Sequence, residues 1–401
     1  MTDIFLPFSV AVGIIFLGFI GDVLFDRWGI PDTPLLILLG VIFGPILQVF
    51  PREGLLSIAP ILGTLTLVMI LFGGGMNMSL ERIIKQSSRA TILSLIYLVT
   101  CSITISLLSQ YFLNLDFLEA LLLGVMATGT SSVVVIPLMA KLNLDPDTSL
   151  TLSIESTLTD ILDIVLVVAI LHIYLGRSIG PREALISLSS SFSVGIVIGF
   201  ILGVIWLKVL FTLRKHKFTY MLTVAAVILT YVMSEYLGGS GAMSTLLFGL
   251  VIGNDKDIAT FMRMSISNDD LFGIKGILVK FQEELSFLMR SFFFVFLGLL
   301  FDIYAFPITL AFIYAVFLTL INLLARYFAA YFATFRSPMK QNITTITFIC
   351  GKGLAPAILS LMPLQYGLPN SNLYITLIAT LIILSNLVTA VYASILKRKL
   401  T

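Results

Sequence analysis

The chain has 401 residues, 58% of them apolar and only 11% charged, and a formal net charge of +2. Soluble domains carry about 25% charged residues and could not bury this much apolar surface, so a soluble enzyme is excluded. The mean hydropathy of +1.06 indicates an all-α polytopic membrane protein, and the small net charge points away from a nucleic-acid partner.

Apolar runs bounded by charges or turn residues predict thirteen spans, near 5–24, 33–49, 56–78, 89–111, 117–140, 148–175, 183–211, 218–236, 240–254, 281–302, 305–334, 340–363 and 372–396. The first is long enough to stay in the bilayer rather than be removed as a signal peptide. With the N-terminus outside, nearly all loop lysines and arginines fall in cytoplasmic loops, among them Arg82, Lys85, Arg214, Lys215, Lys275 and Arg336. Outside loops hold only Arg52, Arg177 and Arg182. This alternation obeys the positive-inside rule. It predicts a cytoplasmic C-terminus in a cell (inner) membrane. The polar connection 254–280 is the expected place for a surface helix or a cytoplasmic contact. The sequence stops soon after Lys397-Arg398-Lys399, so a large soluble regulatory domain is not expected. Cys101 and Cys350 lie in apolar segments and read as small hydrophobes, with no metal-type Cys/His spacing.

The spans repeat. Span two reads LLGVIFGP (38–45) and span nine LFGLVIGN (247–254). Span three reads LFGGGMN (71–77) and span ten VFLGLLFD (295–302), which aligns Gly74 with Gly298. Span five reads MATGTSSVVVIP (126–137) and span twelve CGKGLAPAILSLMP (350–363), which aligns Gly129 with Gly353. Each pair is an odd number of spans apart, so the copies face opposite ways, as in the inverted-topology repeats of secondary transporters. Close helix packing through small residues is the competing reading of these glycines. Spans five and twelve are expected to be broken, because Gly, Ser, Thr and Pro crowd their centres. Two such breaks crossing near the midplane would aim helix ends at one place. Thr130 and Ser131 would supply oxygens there, and Lys352 a fixed positive charge offsetting C-terminal helix ends.

Span six carries three acids within LSIESTLTDILDIVL (152–166): Glu155, Asp160 and Asp163. Glu155 and Thr159 share one helix face, whereas Ser156, Asp160 and Asp163 line another. Each ionised residue at a span centre costs about 2.5–3.5 kcal/mol uncompensated. The intramembrane cations available to offset them are Arg290, Arg326 and Lys352. Arginine suits a permanent buried pair, so Glu155 is expected to be held structurally, with Arg326 the first choice of partner. Asp160 is the free acid, able to hold a proton or a metal cation but not both, and that competition suffices for exchange. Asp163 is either a second titrating group or a salt-bridge partner of Arg290 or Lys352. The whole set could instead be paired structural charges. His172 reads as an interfacial histidine, and Asn77, Asn322 and Asn386 as interhelical glue.

These residues resemble the monovalent cation/proton antiporter superfamily, NhaP-type sodium/proton branch, over nearly the whole length. The family's span-six pattern Glu-Ser-x-x-Asn-Asp appears as Glu155-Ser156-Thr157-Leu158-Thr159-Asp160. Its Thr-Asp break appears as Thr130-Ser131, its two membrane arginines as Arg290 and Arg326, and its Arg-Gly as Lys352-Gly353. The resemblance implies that Asp160 binds the metal cation and carries the proton. Ser156 and Thr130 would be co-ligands, joined by Thr159, Ser131 and Asp163 as site residues. Glu155–Arg326 would be a structural pair, with Lys352 and Arg290 compensating charge. It also implies a homodimer working as an elevator. A core bundle (56–175 and 281–396) would move against dimerisation helices (1–55 and 183–254) within one transporter domain.

The implied activity is exchange of Na⁺ or K⁺, with Li⁺ to be tried, for H⁺, with no cofactor. One titrating aspartate predicts electroneutral exchange, and Asp163 would alter the stoichiometry if it also titrates. Ser131 for Asp and Thr159 for Asn leave the choice of ion open. The alternative is a sodium-coupled symporter of a small organic anion, which would need a larger polar cavity. A channel is disfavoured because the charges form no repeated ring.

Overall fold

A computed structural model describes residues 12–21, 23, 31–50, 52–78, 88–142, 144–176, 181–213, 218–261, 268–302 and 308–400. The described residues are helical and contain no strand. Seven helices are long and apolar enough to cross a membrane: α3 (Arg52–Asn77), α4 (Ser88–Leu113), α7 (Pro146–Leu175), α8 (Pro181–Leu213), α9 (Thr219–Tyr236), α13 (Ile308–Ala333) and α17 (Ser371–Leu400). Between them lie shorter apolar helices: α1 (Val12–Gly21), α2 (Thr33–Val41), α5 (Phe117–Met126), α6 (Ser132–Leu142) and α10 (Gly241–Gly253). The remainder are α11 (Asp255–Phe261), α12 (Asn268–Leu299), α14 (Ile343–Phe348), α15 (Leu354–Leu359) and α16 (Met362–Gln365). The chain is thus an all-helical multi-pass membrane protein.

Two local departures have plain causes. Span two gives way to a π turn, Ile42–Ile46, around Pro45, whose missing N–H cannot continue the α ladder. The connection 254–280, the expected place for a surface helix, holds α11 at its start, and the departure is that α12 begins at Asn268, well before the apolar run at 281. Hydropathy finds the lipid-facing part of a helix and misses its polar extension. Much of the charge behind the expected orientation, including Arg27, Arg82, Lys85, Arg177, Arg214, Lys215, Lys217 and Arg263, lies outside the described residues.

Packing divides the chain into two units: Met1–Gly63, Ser87–Leu171 and Arg290–Thr401 form one, and Thr64–Gln86 with His172–Met289 the other. In the first, α4 packs on α5 and α13, and α13 on α14 and α17. In the second, α10 packs against α8 and α9, around a core that includes Phe72, Met76, Leu207, Tyr220 and Phe248.

The repeat glycines make close helix seams within both units. In the first, Gly40 and Gly298 face each other. A Cβ on Gly40 would strike the Val295 carbonyl, and one on Gly298 the Ile37 carbonyl. In the second, a Cβ on Gly249 would strike the Phe72 carbonyl, and one on Gly75 the Leu246 carbonyl. The related motifs therefore pack alike, and small-residue packing accounts for their glycines directly.

Candidate functional site

The site lies in the first unit, where two helices are interrupted. Helix α5 ends at Met126 and α6 starts at Ser132; α14 ends at Phe348 and α15 starts at Leu354. Both intervening stretches are buried, so their backbone groups need partners inside the protein. They find some in each other: the Ser131 N–H donates to the Gly351 carbonyl at 2.9 Å. Gly353 has no space for a Cβ beside the Ser131 hydroxyl.

Lys352 stands at the junction, fully buried. Its ammonium donates to the Thr128 carbonyl just past the end of α5, to Asn322 Oδ1 at 2.9 Å and to Tyr97 Oη at 3.0 Å. Three donors thus meet three neutral oxygens, and the charge faces the negative end of α5. The Tyr97 hydroxyl in turn donates to Asn322 Oδ1 at 2.6 Å, and Asn386 Nδ2 donates to the Lys352 carbonyl at 2.8 Å. Both asparagines therefore do act as interhelical glue. The Lys352 ammonium thus lies against one helix end, that of α5.

Glu155 and Arg326 form a closed pair, each 0% exposed. Nη1 reaches Oε1 at 2.9 Å and Nη2 reaches Oε2 at 2.8 Å, the bidentate geometry in which guanidinium and carboxylate match best. The Nε–H donates to the Ile346 carbonyl at 2.7 Å, and Nη1 also donates to Thr130 Oγ1 at 2.8 Å. The charges are therefore paired and hydrogen-bonded, the condition for burying them.

Asp160 is different. It is only half-buried. Its Oδ2 accepts from the Ser132 amide at 3.2 Å and from the Ser132 hydroxyl at 3.0 Å. Ser132 opens α6, so the carboxylate sits at the positive end of a half-helix. Among the described residues, no guanidinium holds it.

The other expected ligands are spread around this centre. The Thr130 hydroxyl is engaged by Arg326, and its amide donates to Thr159 Oγ1 at 3.3 Å. Thr159 Oγ1 donates back to the Glu155 and Ser156 carbonyls. Ser156 Oγ donates to the Ser153 carbonyl at 3.2 Å. Ser131 contributes the backbone bond to Gly351.

The cations expected for Asp163 are elsewhere. Arg290 Nη2 lies 3.4 Å from Asp32 Oδ2, an acid that precedes span two and that the count of intramembrane acids omits. Lys352 is held by neutral oxygens. Asp163 is 0% exposed, and neither carboxylate oxygen has a hydrogen-bond partner of good geometry. In this structure neither Arg290 nor Lys352 forms an ion pair with Asp163.

Sequence alone does not single out three of the participants. Ser132 lies in the quoted ATGTSS run, and its signal is its place as first residue of the resumed half-helix. Thr128 acts through its backbone carbonyl. Tyr97, on α4, has no sequence signal at all.

The sequence pattern of the family described as sodium/hydrogen exchanger, transmembrane, matches residues 12–398. Na(+)/H(+) antiporter 1 of Methanocaldococcus jannaschii is 32% identical over 68% of this chain and 63% of its own length. K(+)/H(+) antiporter NhaP of Alkalimonas amylolytica is 25% identical over 94% of this chain and 64% of its own. The chain thus spans a little under two thirds of the length of these curated relatives. The solved structure of the sodium proton antiporter MjNhaP1 from M. jannaschii at pH 8 superposes with a TM-score of 0.78 at 25% identity, covering 98% of this chain and 99% of that one. With the match running through nearly every described helix, the chain belongs to the sodium/hydrogen exchanger family of transmembrane proteins.

Proposed function

We propose that this chain is a secondary active antiporter that exchanges a monovalent cation, Na⁺ or K⁺, for H⁺ by competition at Asp160. One observation carries the reading. Of the three span-six acids, Glu155 is locked to Arg326 and Asp163 is sealed, whereas Asp160 is partly exposed and held only by a serine amide and hydroxyl. Such a carboxylate accepts a proton or a cation in turn, and each arrival displaces the other. The relatives support this by name, as Na⁺/H⁺ and K⁺/H⁺ antiporters. None of them is named as an organic-anion symporter, and that alternative has no support.

In this reading Ser156, Thr159, Thr130 and Ser131 complete the cation's oxygen shell as the broken helices shift, and Asp160 alone exchanges one cation for one proton. The core bundle, 56–175 with 281–396, carries the site across the bilayer in elevator fashion. It moves against helices 1–55 and 183–254, which form the scaffold of a homodimer. The N-terminus lies outside and the C-terminus in the cytoplasm.

The test is purified protein in liposomes with a trapped pH dye, pulsed with Na⁺, K⁺ or Li⁺. Cation-driven proton efflux is expected, and its size ranks the ions. Asp160→Asn abolishes it while the protein stays folded. Exchange retained in that variant overturns the assignment.

A further inference from the structure

We propose that the end of α13 is a binding site for an anionic phospholipid, whose phosphate is held by Arg336 and Lys340 and whose acyl chain lies along the aromatic face of the helix. The inference stands apart from the transport reading and needs only that the chain crosses a bilayer.

The last two turns of α13 present Tyr327, Phe328, Tyr331 and Phe332, and Phe335 follows just past the helix; all five are exposed. Residues four apart share a face, so Tyr327 with Tyr331 and Phe328 with Phe332 make two adjacent aromatic ridges. Their rings touch: Phe332 stands edge-on to Phe328 at 4.7 Å between centroids and to Tyr331 at 5.8 Å. The apolar span runs to Ala333, so this surface lies where hydrocarbon gives way to headgroups, the level at which amphipathic rings collect.

Two cations are brought onto that face. Arg336 has a φ of 55°, in the left-handed region where glycine or asparagine usually ends a helix. Lys340 follows in a 3₁₀ turn, Pro338–Asn342, capped by the Ser337 hydroxyl. The chain has by then turned back, and the Lys340 ammonium stands 5.9 Å from the ring centre of Tyr331, nine residues earlier. The Arg336 guanidinium lies 5.3 Å from the ring centre of Phe335. Each ring pins a charge in place. Both side chains are exposed, and among the described residues neither forms an ion pair. Asp145, an acid that reaches this connection, is taken up by Asn342 and by the Thr148 amide.

Unneutralised cations above an apolar face fit a ligand that is anionic at one end and apolar at the other. A guanidinium and an ammonium together match a phosphodiester, and the exposed rings pack against an acyl chain. Free phosphate satisfies only the first half of the surface, and a zwitterionic lipid brings its own cation to compete. Basic side chains at helix ends also snorkel without holding any one lipid. Here the charges are fixed on rings, and an arginine occupies a backbone conformation that glycine would adopt with less strain but without a charge. Those two features point to a held headgroup.

The test places a reporter, Phe332→Trp, in the full chain, reconstituted in phosphatidylcholine vesicles. A fixed small fraction of the lipid is either brominated phosphatidylglycerol or brominated phosphatidylcholine. Quenching of the added indole, with the native chain's signal subtracted, measures lipid held at this face. Each basic residue near an anionic headgroup is worth about fivefold in affinity, so brominated phosphatidylglycerol is expected to quench at a several-fold lower fraction than brominated phosphatidylcholine. Arg336→Gln and Lys340→Gln together bring the two lipids level, and each alone loses about fivefold. Equal quenching by the two lipids in the reporter chain overturns the proposal, whether or not the charge variants fold. A preference that survives in the folded double variant, or in both single variants, also overturns it. Displacement of the anionic lipid by inorganic phosphate beyond that by NaCl of equal ionic strength assigns the site to a free anion and overturns the lipid.

Discussion

Lys352 donates to the carbonyl of Thr128, a residue 224 positions earlier in the chain, and 224 is the offset that aligns Gly129 with Gly353 in the sequence repeat. Equivalent positions of the two halves thus touch at the point where both helices are broken. Lys352→Met takes the buried donor from the Thr128 carbonyl, at about 1–3 kcal/mol, while the Asn322 oxygen keeps the Tyr97 hydroxyl. A clear fall in the apparent Tm in detergent is expected. Lys352→Arg recovers only part of it, because a planar fork does not fit a cage shaped for a point charge. An unchanged Tm for Lys352→Met would show that the cage does not hold the junction.

Breaking the Glu155–Arg326 pair from one side strands a buried charge. Glu155→Gln is expected to lose about 3–5 kcal/mol of stability, read as thermal unfolding of the purified protein. Replacing Arg326 with Gln in the same molecule regains part of the loss, since the stranded guanidinium is gone. A stable, well-folded but inactive Glu155→Gln would instead make Glu155 a cation ligand.

Ser132→Ala removes the hydroxyl that donates to Asp160 and leaves the amide. The hydroxyl stabilises the carboxylate over the acid, so its loss lets Asp160 keep its proton to higher pH. For a charge-assisted bond of about 1.5 kcal/mol, the pH midpoint of exchange moves upward by about one pH unit. Dye-based exchange assays across a pH series measure this, and a midpoint that stays put or moves down contradicts the role given to Ser132.

The glycine seams predict matched damage in the two units. Gly40→Val and Gly249→Val each force a side chain into a neighbouring backbone carbonyl, and overpacking of this kind costs about 1–3 kcal/mol or more. Both variants should lower Tm by similar amounts without changing which ion is preferred. A shift in ion preference from either would mean that its seam reaches the site.

Much of this is legible in the residues. Hydropathy locates the helical segments, and Gly, Ser and Pro mark both breaks. That Glu155 needs an arginine follows from the rule that a buried acid needs a cation that cannot shed its proton, with Arg326 the first choice, and the structure pairs those two. What stays hidden is set by three-dimensional neighbours. Thr130 reads as a cation ligand in sequence, and nothing in the sequence tells that its hydroxyl also accepts from Arg326. Arg290 reads as a partner for the span-six acids, whereas its ion pair is with Asp32, a residue that looks like the edge of a loop. Tyr97 is one aromatic among many on an apolar helix until Lys352 is seen to reach it.

The seam between Gly40 and Gly298 has no side chains to absorb displacement. Two backbones in contact cannot slide into each other's space or yield by changing rotamers. Along the line joining the two helices the joint is incompressible. A push of α12 toward α2 therefore meets backbone at once and is handed on, with no side-chain rearrangement in between to take it up.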